Sequence, residues 1–334
     1  MLNYAIIGFG GLGKLHFSNY ESTKNIAGDI KLVALCDVDE TKFKTQTATN
    51  LGDSNAELDL SDYNLYTDVE EMLSKEKLDF VITALPTYIH EKIAVLVMEK
   101  GIHVFSEKPI AINLEQAQNM IDTAKKNNVK LMIGQCVRYF PIYKILKDII
   151  DSKKYGKVLC GDFFRMSSTP LWSWEDWMRD EEKSGAAVLD LHIHDVDFIH
   201  YAFGKPKAVT SRATHGDLKN DAITTIFDYD DMFITATGAW GLKQKYPFSV
   251  GFTVRFEEAT VEYKNNEVVI YTDEEVIKPD IPAESGYISE VVDFIDSIRN
   301  NKESKINTPE SAKLSIEIGI AESLSAQKAE TVIL

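Results

Sequence analysis

The chain has 334 residues, of which 44% are hydrophobic, and carries a formal net charge of −16 at pH 7. This length favours two domains, and the apolar fraction is sufficient for two cores. The charge argues against nucleic acid or an anionic membrane as partner, and no apolar run approaches the roughly 18 residues of a membrane span. A first strand from Tyr4 leaves no room for a signal peptide. We therefore expect a cytoplasmic protein.

The three cysteines, Cys36, Cys136 and Cys160, lack the spacing of a metal site and form no even set. Such residues are typical of reduced, buried thiols in the cytosol. The sequence predicts no metal.

A glycine-rich turn follows the first predicted strand, Tyr4–Ile7. Gly8, Gly10 and Gly13 form the pattern G-x-G-x-x-G, and Asp37 ends the next apolar run. Gly8 would permit a tight turn, Gly10 would let the backbone approach a pyrophosphate, and Gly13 would let the helix pack on the strand. The pattern predicts a dinucleotide site; a glycine-rich turn in another kind of α/β protein is the alternative.

The cofactor contacts predicted around this turn are Gly8, Phe9, Gly10, Gly11, Leu12, Gly13, Asp37 and Val38. The Asp37 carboxylate would accept hydrogen bonds from the adenosine ribose and repel a 2′-phosphate. Val38 and Asp39 offer no cation to receive that phosphate. We therefore expect NAD to be preferred over NADP.

Up to about residue 130, short apolar strands alternate with helical patterns. The predicted strands after Tyr4–Ile7 are Leu32–Cys36, Phe80–Ala84, His103–Phe105 and Lys130–Gly134, with helices near Thr87–Lys100 and Leu114–Asn127. This alternation predicts an α/β Rossmann domain, a doubly wound parallel sheet, over residues 1–128. The acidic stretch Asn50–Asn64 is interpreted as a surface loop or short insertion.

The second half changes character. Strand-like segments lie at 157–168, 207–216, 221–229, 232–241, 247–256, 258–263 and 267–272, and helices are predicted at Ser289–Asn300 and Pro309–Ser325. Thr308 is the expected N-cap of the last helix. The pattern predicts a substrate-binding and oligomerisation domain of α+β type over 129–334, with a large, mostly antiparallel sheet. Because an open sheet needs its outer face covered, a homodimer or homotetramer is expected.

Two loops of the first half follow strands at the ligand-binding edge of the sheet. The segment Thr83–His90 places Ala84, Leu85, Pro86 and His90 where a cofactor's ribose and adenine would lie. Its alternative interpretation is a strand-to-helix turn in which Pro86 breaks the strand and Thr87 caps the helix.

The second loop is Glu107-Lys108-Pro109. Pro109 stiffens the backbone there, and Lys108 could orient a substrate oxygen and stabilise developing alkoxide charge. A solvated ion pair between Glu107 and Lys108 is the alternative.

The helical pattern Gly185–Phe203 carries a carboxylate and an imidazole four residues apart, Asp190 and His194. A carboxylate beside an imidazole can orient it and raise its basicity, as a general base for an alcohol proton requires. Zinc binding is disfavoured because His192 would point about 200° away from Asp190 on a helix with ~100° per residue. A helix with satisfied polar residues at a domain interface remains open.

With these motifs in hand, the chain resembles the Gfo/Idh/MocA family of oxidoreductases, which includes inositol and sugar dehydrogenases. The resemblance rests on the glycine fingerprint with His16, on Glu107-Lys108-Pro109, on Gln135 with Arg138-Tyr-Phe-Pro141, on Asp190-x-x-x-His194, and on Tyr287, Glu290 and Phe294. It runs over essentially the whole chain.

The resemblance implies a catalytic set of Lys108, Asp190 and His194, in which Lys108 holds the reacting hydroxyl and His194 acts as acid and base. It also implies cofactor contacts from Glu107, Lys108 and Gln135. The implied substrate contacts are Lys108, Arg138, Trp172, Asp190, His194 and Tyr287. Trp172, Trp174 and Trp177 would form an aromatic wall against a sugar ring or, alternatively, pack in the core.

The chain departs from the family where His192 replaces a common glycine, which would narrow or alter the substrate side, and where Gly185-Ala-Ala replaces a run of glycines. The expected function is reversible hydride transfer between a secondary alcohol of a sugar or cyclitol and nicotinamide. A redox-neutral sugar-modifying enzyme that recycles NAD and a non-catalytic NAD-binding sensor are the alternatives.

Overall fold

The computed structural model describes residues 1–45, 58–171, 173–216 and 220–334. The predicted loop Asn50–Asn64 lies outside the described residues up to position 57, and its last residue begins a strand. The chain divides into unit 1, Met1–Gln135 with Tyr287–Lys313, and unit 2, Cys136–Gly286 with Leu314–Leu334.

The strands of the described residues are β1 (Leu2–Ile7), β2 (Ile30–Cys36), β3 (Asn64–Tyr66), β4 (Phe80–Thr83), β5 (His103–Glu107), β6 (Leu131–Gly134), β7 (Val158–Ser168), β8 (Ala208–Thr214), β9 (Ala222–Asp228), β10 (Phe233–Leu242), β11 (Ser249–Phe256), β12 (Thr260–Lys264), β13 (Glu267–Tyr271), β14 (Val276–Ile277) and β15 (Thr331–Ile333).

The α-helices are α1 (Gly11–Ser18), α2 (Tyr20–Ala27), α3 (Val69–Lys75), α4 (His90–Met98), α5 (Leu114–Asn127), α6 (Pro141–Ser152), α7 (Glu181–Ser184), α8 (Ile193–Phe203), α9 (Gly286–Asn300) and α10 (Pro309–Lys328). Short 3₁₀ segments lie at Glu40–Phe43, Thr87–Ile89, Cys136–Tyr139 and Trp174–Arg179, and a π-helical turn lies at Val188–His192.

Unit 1 is built on a parallel six-stranded sheet in the order β3-β2-β1-β4-β5-β6. The chain moves outward from β1 in one direction and then returns to place β4 on the other side. Such a reversal is the point at which doubly wound sheets bind ligands, beyond the carboxyl ends of the strands. The predicted Rossmann fold class is confirmed.

The boundaries of unit 1 differ from the predicted domain 1–128. Strand β6 pairs with β5, so the sheet continues to the end of β6, at Gly134. Helix α9 also contributes to this core, because Phe294 is fully buried with its ring 5.7 Å from that of Phe80 and 5.8 Å from that of Phe105. A core contact made by residues so distant in sequence has no local signature.

Unit 2 is built on a nine-stranded sheet in the order β14-β13-β12-β11-β7-β10-β9-β8-β15. All neighbours are antiparallel except β7 and β10. Burial alternates along β9, where Ile223, Thr225 and Phe227 are buried while Thr224 and Ile226 are exposed. One face of the sheet therefore packs on a core, and the predicted α+β class with a mostly antiparallel sheet is confirmed.

Two helix starts were predicted from capping residues, and the structure agrees with one of them. Helix α10 begins at Pro309 with Thr308 as its cap, because the Thr308 hydroxyl accepts a hydrogen bond from the Ser311 N–H at 3.2 Å. The alternative that Thr87 caps a helix is wrong. Thr87 begins a 3₁₀ turn without a side-chain cap, and α4 starts at His90.

Candidate cofactor and active site

The glycine turn between β1 and α1 has no room for side chains at two of its three motif positions. Gly8 has φ +90°, and a Cβ there would lie 2.3 Å from the Ala84 carbonyl oxygen. A Cβ on Gly13 would lie 1.9 Å from the Gly8 carbonyl oxygen. A Cβ on Gly10 would meet nothing within 4 Å. The turn is thus tightly packed on its inner side and open at Gly10, the N-cap residue of α1, as close approach of a pyrophosphate requires.

The Asp37 carboxylate is held beside this turn. Its Oδ2 accepts a hydrogen bond from the Phe9 N–H at 2.7 Å, and its Oδ1 accepts one from the Asp39 N–H at 2.9 Å. The Phe9 side chain is fully buried with its ring 5.6 Å from that of Phe17, so only its backbone faces the turn. Val38 is 72% exposed. The carboxylate is therefore fixed at the carboxyl edge of the sheet, where an adenosine ribose binds in this fold.

Two buried histidines connect the loops at this edge. His16 Nε2 lies 2.8 Å from Glu107 Oε1, and both side chains are buried. The His90 ring spans the carbonyl oxygens of Leu85 and Pro109, each 2.8 Å from one ring nitrogen. Burial lowers the pKa of His90, and a neutral imidazole donates to one of these two oxygens at a time. His90 thereby joins two segments, Ala84–Pro86 and Glu107–Pro109. Lys108 is half-buried between two anchored neighbours.

The side chain of Gln135 provides a direct test of whether unit 1 fits a cofactor. It is 1% exposed, and neither its amide oxygen nor its amide nitrogen has a hydrogen-bond partner within the described part of the chain. Buried polar atoms are nearly always paired, so two orphaned amide atoms require a partner of complementary chemistry. A carboxamide such as that of nicotinamide is one such partner. Together with the glycine turn and Asp37, Gln135 fits an NAD molecule.

Unit 2 holds the predicted acid–base pair on consecutive turns. Asp190 is 9% exposed and lies in the π-helical turn, and His194 is half-buried in the first turn of α8. The predicted continuous α-helix is therefore wrong at Val188–His192, because hydrogen bonding there follows the wider π pattern. Such single turns occur frequently at functional sites.

The other two carboxylates of this helix form internal ion pairs. Asp197 accepts hydrogen bonds from Arg138 Nε at 2.7 Å and Nη2 at 2.6 Å, and Asp195 accepts two from Arg165 at 3.0 Å each. All four side chains are at most 8% exposed. The guanidinium of Arg138 therefore binds Asp197 through Nε and Nη2, and the substrate contact of Arg138 stays a prediction. Sequence reasoning missed the Arg165–Asp195 pair, whose members lie 30 positions apart.

His192 also has an internal partner. Its side chain is 0% exposed, and Nε2 lies 3.0 Å from Glu322 Oε1 on α10. Its side chain is therefore enclosed by protein, and its effect on the substrate side stays a prediction.

The remaining predicted residues are distributed as follows. Trp174 is 39% exposed, Trp177 is half-buried, and Trp172 lies outside the described residues. Tyr287 is half-buried in α9 of unit 1. Lys108 likewise belongs to unit 1, whereas Asp190 and His194 belong to unit 2.

The described ranges show neither a metal-binding cluster nor a membrane-spanning helix. Among those residues no three His, Cys, Asp or Glu side chains are grouped so that they could hold a metal ion. None of the helices described is both long enough and apolar enough to cross a membrane.

The parallel sheet order, the glycine turn and the carboxylate at the end of β2 define a dinucleotide-binding Rossmann protein. Comparison with known families is specific. Residues 2–135 match the oxidoreductase family with an NAD-binding Rossmann fold, and residues 143–262 match the GFO/IDH/MocA C-terminal domain. The chain belongs to the Gfo/Idh/MocA family of oxidoreductases.

Individual relatives include dehydrogenases and a hydratase. The chain is 30% identical over 172 residues to the 2,7-anhydro-N-acetylneuraminate hydratase of Mediterraneibacter gnavus, covering 51% of this chain and 45% of the relative. It is 28% identical over 241 residues to the glucose-6-phosphate 3-dehydrogenase of Bacillus subtilis, covering 70% and 64%. The matches thus span about half to two thirds of the length of these curated relatives.

Among solved structures, levoglucosan dehydrogenase in complex with NADH and levoglucosan superimposes with a TM-score of 0.84 at 17% identity, covering 99% of both chains. At this identity the likeness concerns the fold.

Proposed function

We propose that the protein is an NAD-dependent oxidoreductase that transfers a hydride between a secondary alcohol of a sugar or cyclitol and nicotinamide. The observation that carries the proposal is the anchored loop Glu107-Lys108-Pro109. His16 holds Glu107 and His90 holds the Pro109 carbonyl, so the position of Lys108 at the end of β5 is well determined. A lysine held in this way can bind a hydroxyl oxygen in a fixed orientation.

In this proposal each residue has a separate task. Lys108 would donate a hydrogen bond to the reacting oxygen and stabilise its developing negative charge. His194 would take the hydroxyl proton, or return it in the reverse direction, and Asp190 would assist the imidazole or the substrate. The bound nicotinamide would supply the hydride acceptor or donor. Trp172 and Tyr287 are proposed to contact the substrate, and Gln135 and Glu107 the cofactor.

The first experiment follows reduced-nicotinamide absorbance with NAD and a panel of cyclitols, free aldoses and nucleotide sugars, for the wild type and for Lys108→Ala. We expect turnover on one group of substrates and its loss in the variant, with NAD binding retained. Turnover that is unchanged in Lys108→Ala would contradict the role given to this lysine.

A second candidate function follows from the relative that is named a hydratase. In a redox-neutral reaction NAD would be reduced and reoxidised within one turnover, so product would form without release of NADH. Stoichiometric NADH release on the same panel excludes this alternative. Binding of NAD without turnover of any kind would favour a sensor.

The preference for NAD over NADP is proposed from Asp37. Replacing it with alanine removes the carboxylate that would repel a 2′-phosphate, so Asp37→Ala should bind NADP more tightly relative to NAD, as measured by calorimetry. Asp37→Asn separates the two roles of this side chain: it removes the charge but keeps an acceptor for the Phe9 N–H, so it should also shift the ratio toward NADP. An unchanged ratio in Asp37→Ala would refute the assignment.

We further propose that the enzyme works in the cytoplasm as a homodimer or homotetramer.

A further inference from the structure

His192 occupies the last position of the π-helical turn Val188–His192, between Asp190 and His194 in the chain. Its side chain and that of Glu322 are both 0% exposed, and His192 Nε2 lies 3.0 Å from Glu322 Oε1. Among the described residues, Asp195 and Arg165 also act on His192 through their charges, and they are paired with each other. The contact with Glu322 is thus a direct polar link between the end of this turn and helix α10.

The opposite side of the ring is closed by strand β10. A Cβ built on Gly238 would lie 2.6 Å from His192 Cβ and 2.8 Å from its Nδ1. Only a glycine at 238 leaves room for an imidazole in this place. The ring is therefore enclosed between the Gly238 backbone and Glu322, and both its position and its orientation are determined by tertiary contacts.

A π-helical turn is rare and needs support from its surroundings, because the α-helical pattern competes with it at every residue. We propose that His192 is a positioning residue: its ring, held by Glu322 and Gly238, fixes the π-helical turn that presents Asp190 and His194. The effect on catalysis rests on the proposed function of those two residues. The effect on the conformation of the turn does not.

The test uses two shortened side chains that differ in reach. In His192→Gln the amide nitrogen can take the place of Nε2 and still donate to Glu322, whereas in His192→Asn the amide reaches only as far as Nδ1. We expect His192→Asn to lower kcat by about ten- to a hundredfold, as displacement of catalytic groups by about 1 Å does. The KM should change much less. His192→Gln should recover most of the lost activity.

A second variant tests the same contact in case His192→Asn does not fold. Glu322→Gln retains the shape of the acceptor but removes its charge, and we expect an intermediate loss of kcat. Glu317→Gln is the matched control on the same helix, since Glu317 forms an exposed ion pair with Lys205, and it should behave like the wild type. Tryptophan fluorescence reports whether unit 2 of each variant is folded.

A readout independent of turnover is the NMR titration of the His194 imidazole. The titration curve should shift in His192→Asn and return toward the wild-type curve in His192→Gln. The proposal would be overturned if a folded His192→Asn variant had the wild-type kcat and an unchanged His194 titration. If His192→Asn is unfolded, the same result in Glu322→Gln would overturn it. If instead the wild type turns over no secondary alcohol while the His194 titration still shifts, the proposed function fails and the positioning role stands.

Discussion

Gly10 and Gly13 belong to one motif but have different surroundings. Substitution by alanine should therefore cause a different defect at each position. Gly13→Ala forces a methyl group against the Gly8 carbonyl and should lower the free energy of unfolding of unit 1 by about 2–3 kcal/mol. Gly10→Ala meets open space and should cost less than about 1 kcal/mol, while weakening NAD binding. Hydrogen exchange of β1 peptides measures the first effect and calorimetry with NAD the second. Equal loss of stability in both variants would contradict this assignment.

Asp197 makes the stability of unit 2 dependent on pH. Burial acts to raise its pKa, but the charge and hydrogen bonds of Arg138 and the nearby His200 ring, whose Nε2 lies 3.6 Å from Asp197 Oδ1, lower it to about 2. A carboxyl group with a lowered pKa stabilises the fold above its unfolded pKa, about 3.9, and this contribution disappears as the pH falls through about 2. The expected loss is about 2.5 kcal/mol.

The four tryptophans, Trp172, Trp174, Trp177 and Trp240, all fall in unit 2, so tryptophan fluorescence during urea unfolding measures this loss. The comparison is Asp197→Asn, which should already be less stable at neutral pH and should respond less to pH between 4 and 2. Parallel pH profiles for the two proteins would show that Asp197 is not the titrating group.

The roles of single residues were predictable where the backbone itself imposes the choice. The motif predicted the glycine turn, because only glycine tolerates a positive φ at position 8 and a backbone contact at position 13. It did not predict that Arg138 would bind Asp197 or that His192 would meet Glu322. Those pairs depend on elements brought together from distant parts of the chain.

At the level of elements, helix α9 is the clearest case of a long-range contribution. Phe294 is fully buried against Phe80 and Phe105, so Phe294→Ala should cost unit 1 about 3–5 kcal/mol. Hydrogen exchange of β4 and β5 peptides should show the loss, and the tryptophan fluorescence of unit 2 serves as internal control. Unchanged protection of β4 and β5 would exclude this helix from the core.

Helix boundaries followed the local signals only in part. Thr308 and Pro309 start α10 as predicted, because a cap and a proline act on the backbone within one turn. The π-helical turn at Val188–His192 was not predicted, since its apolar residues also fit an α-helical period. Its geometry is supported by partners on β10 and α10.

For the whole molecule, the open face of the nine-stranded sheet bears on assembly. Ile226 is 41% exposed and Phe233 is 49% exposed. On the same face, Ile226 is paired with Thr235 of the neighbouring strand and Phe233 with Asp228. If this face is covered by a second copy, Ile226→Glu should convert a dimer or tetramer into smaller species in light scattering. Thr224→Ser on the same strand is a mild control. A wild-type monomer would contradict the expected assembly.

The sequence by itself determined the two fold classes, the glycine turn with Asp37, and the set of motif residues that place the chain in its family. These features arise from local backbone requirements and from hydrophobic periodicity, which are present in any short window of the chain. Only the tertiary structure decided that α9 completes the core of unit 1, that Arg138 binds an internal carboxylate, and that His192 faces Glu322. Burial of a charged or polar side chain is stable only with a partner, and which partner it meets depends on how distant elements pack.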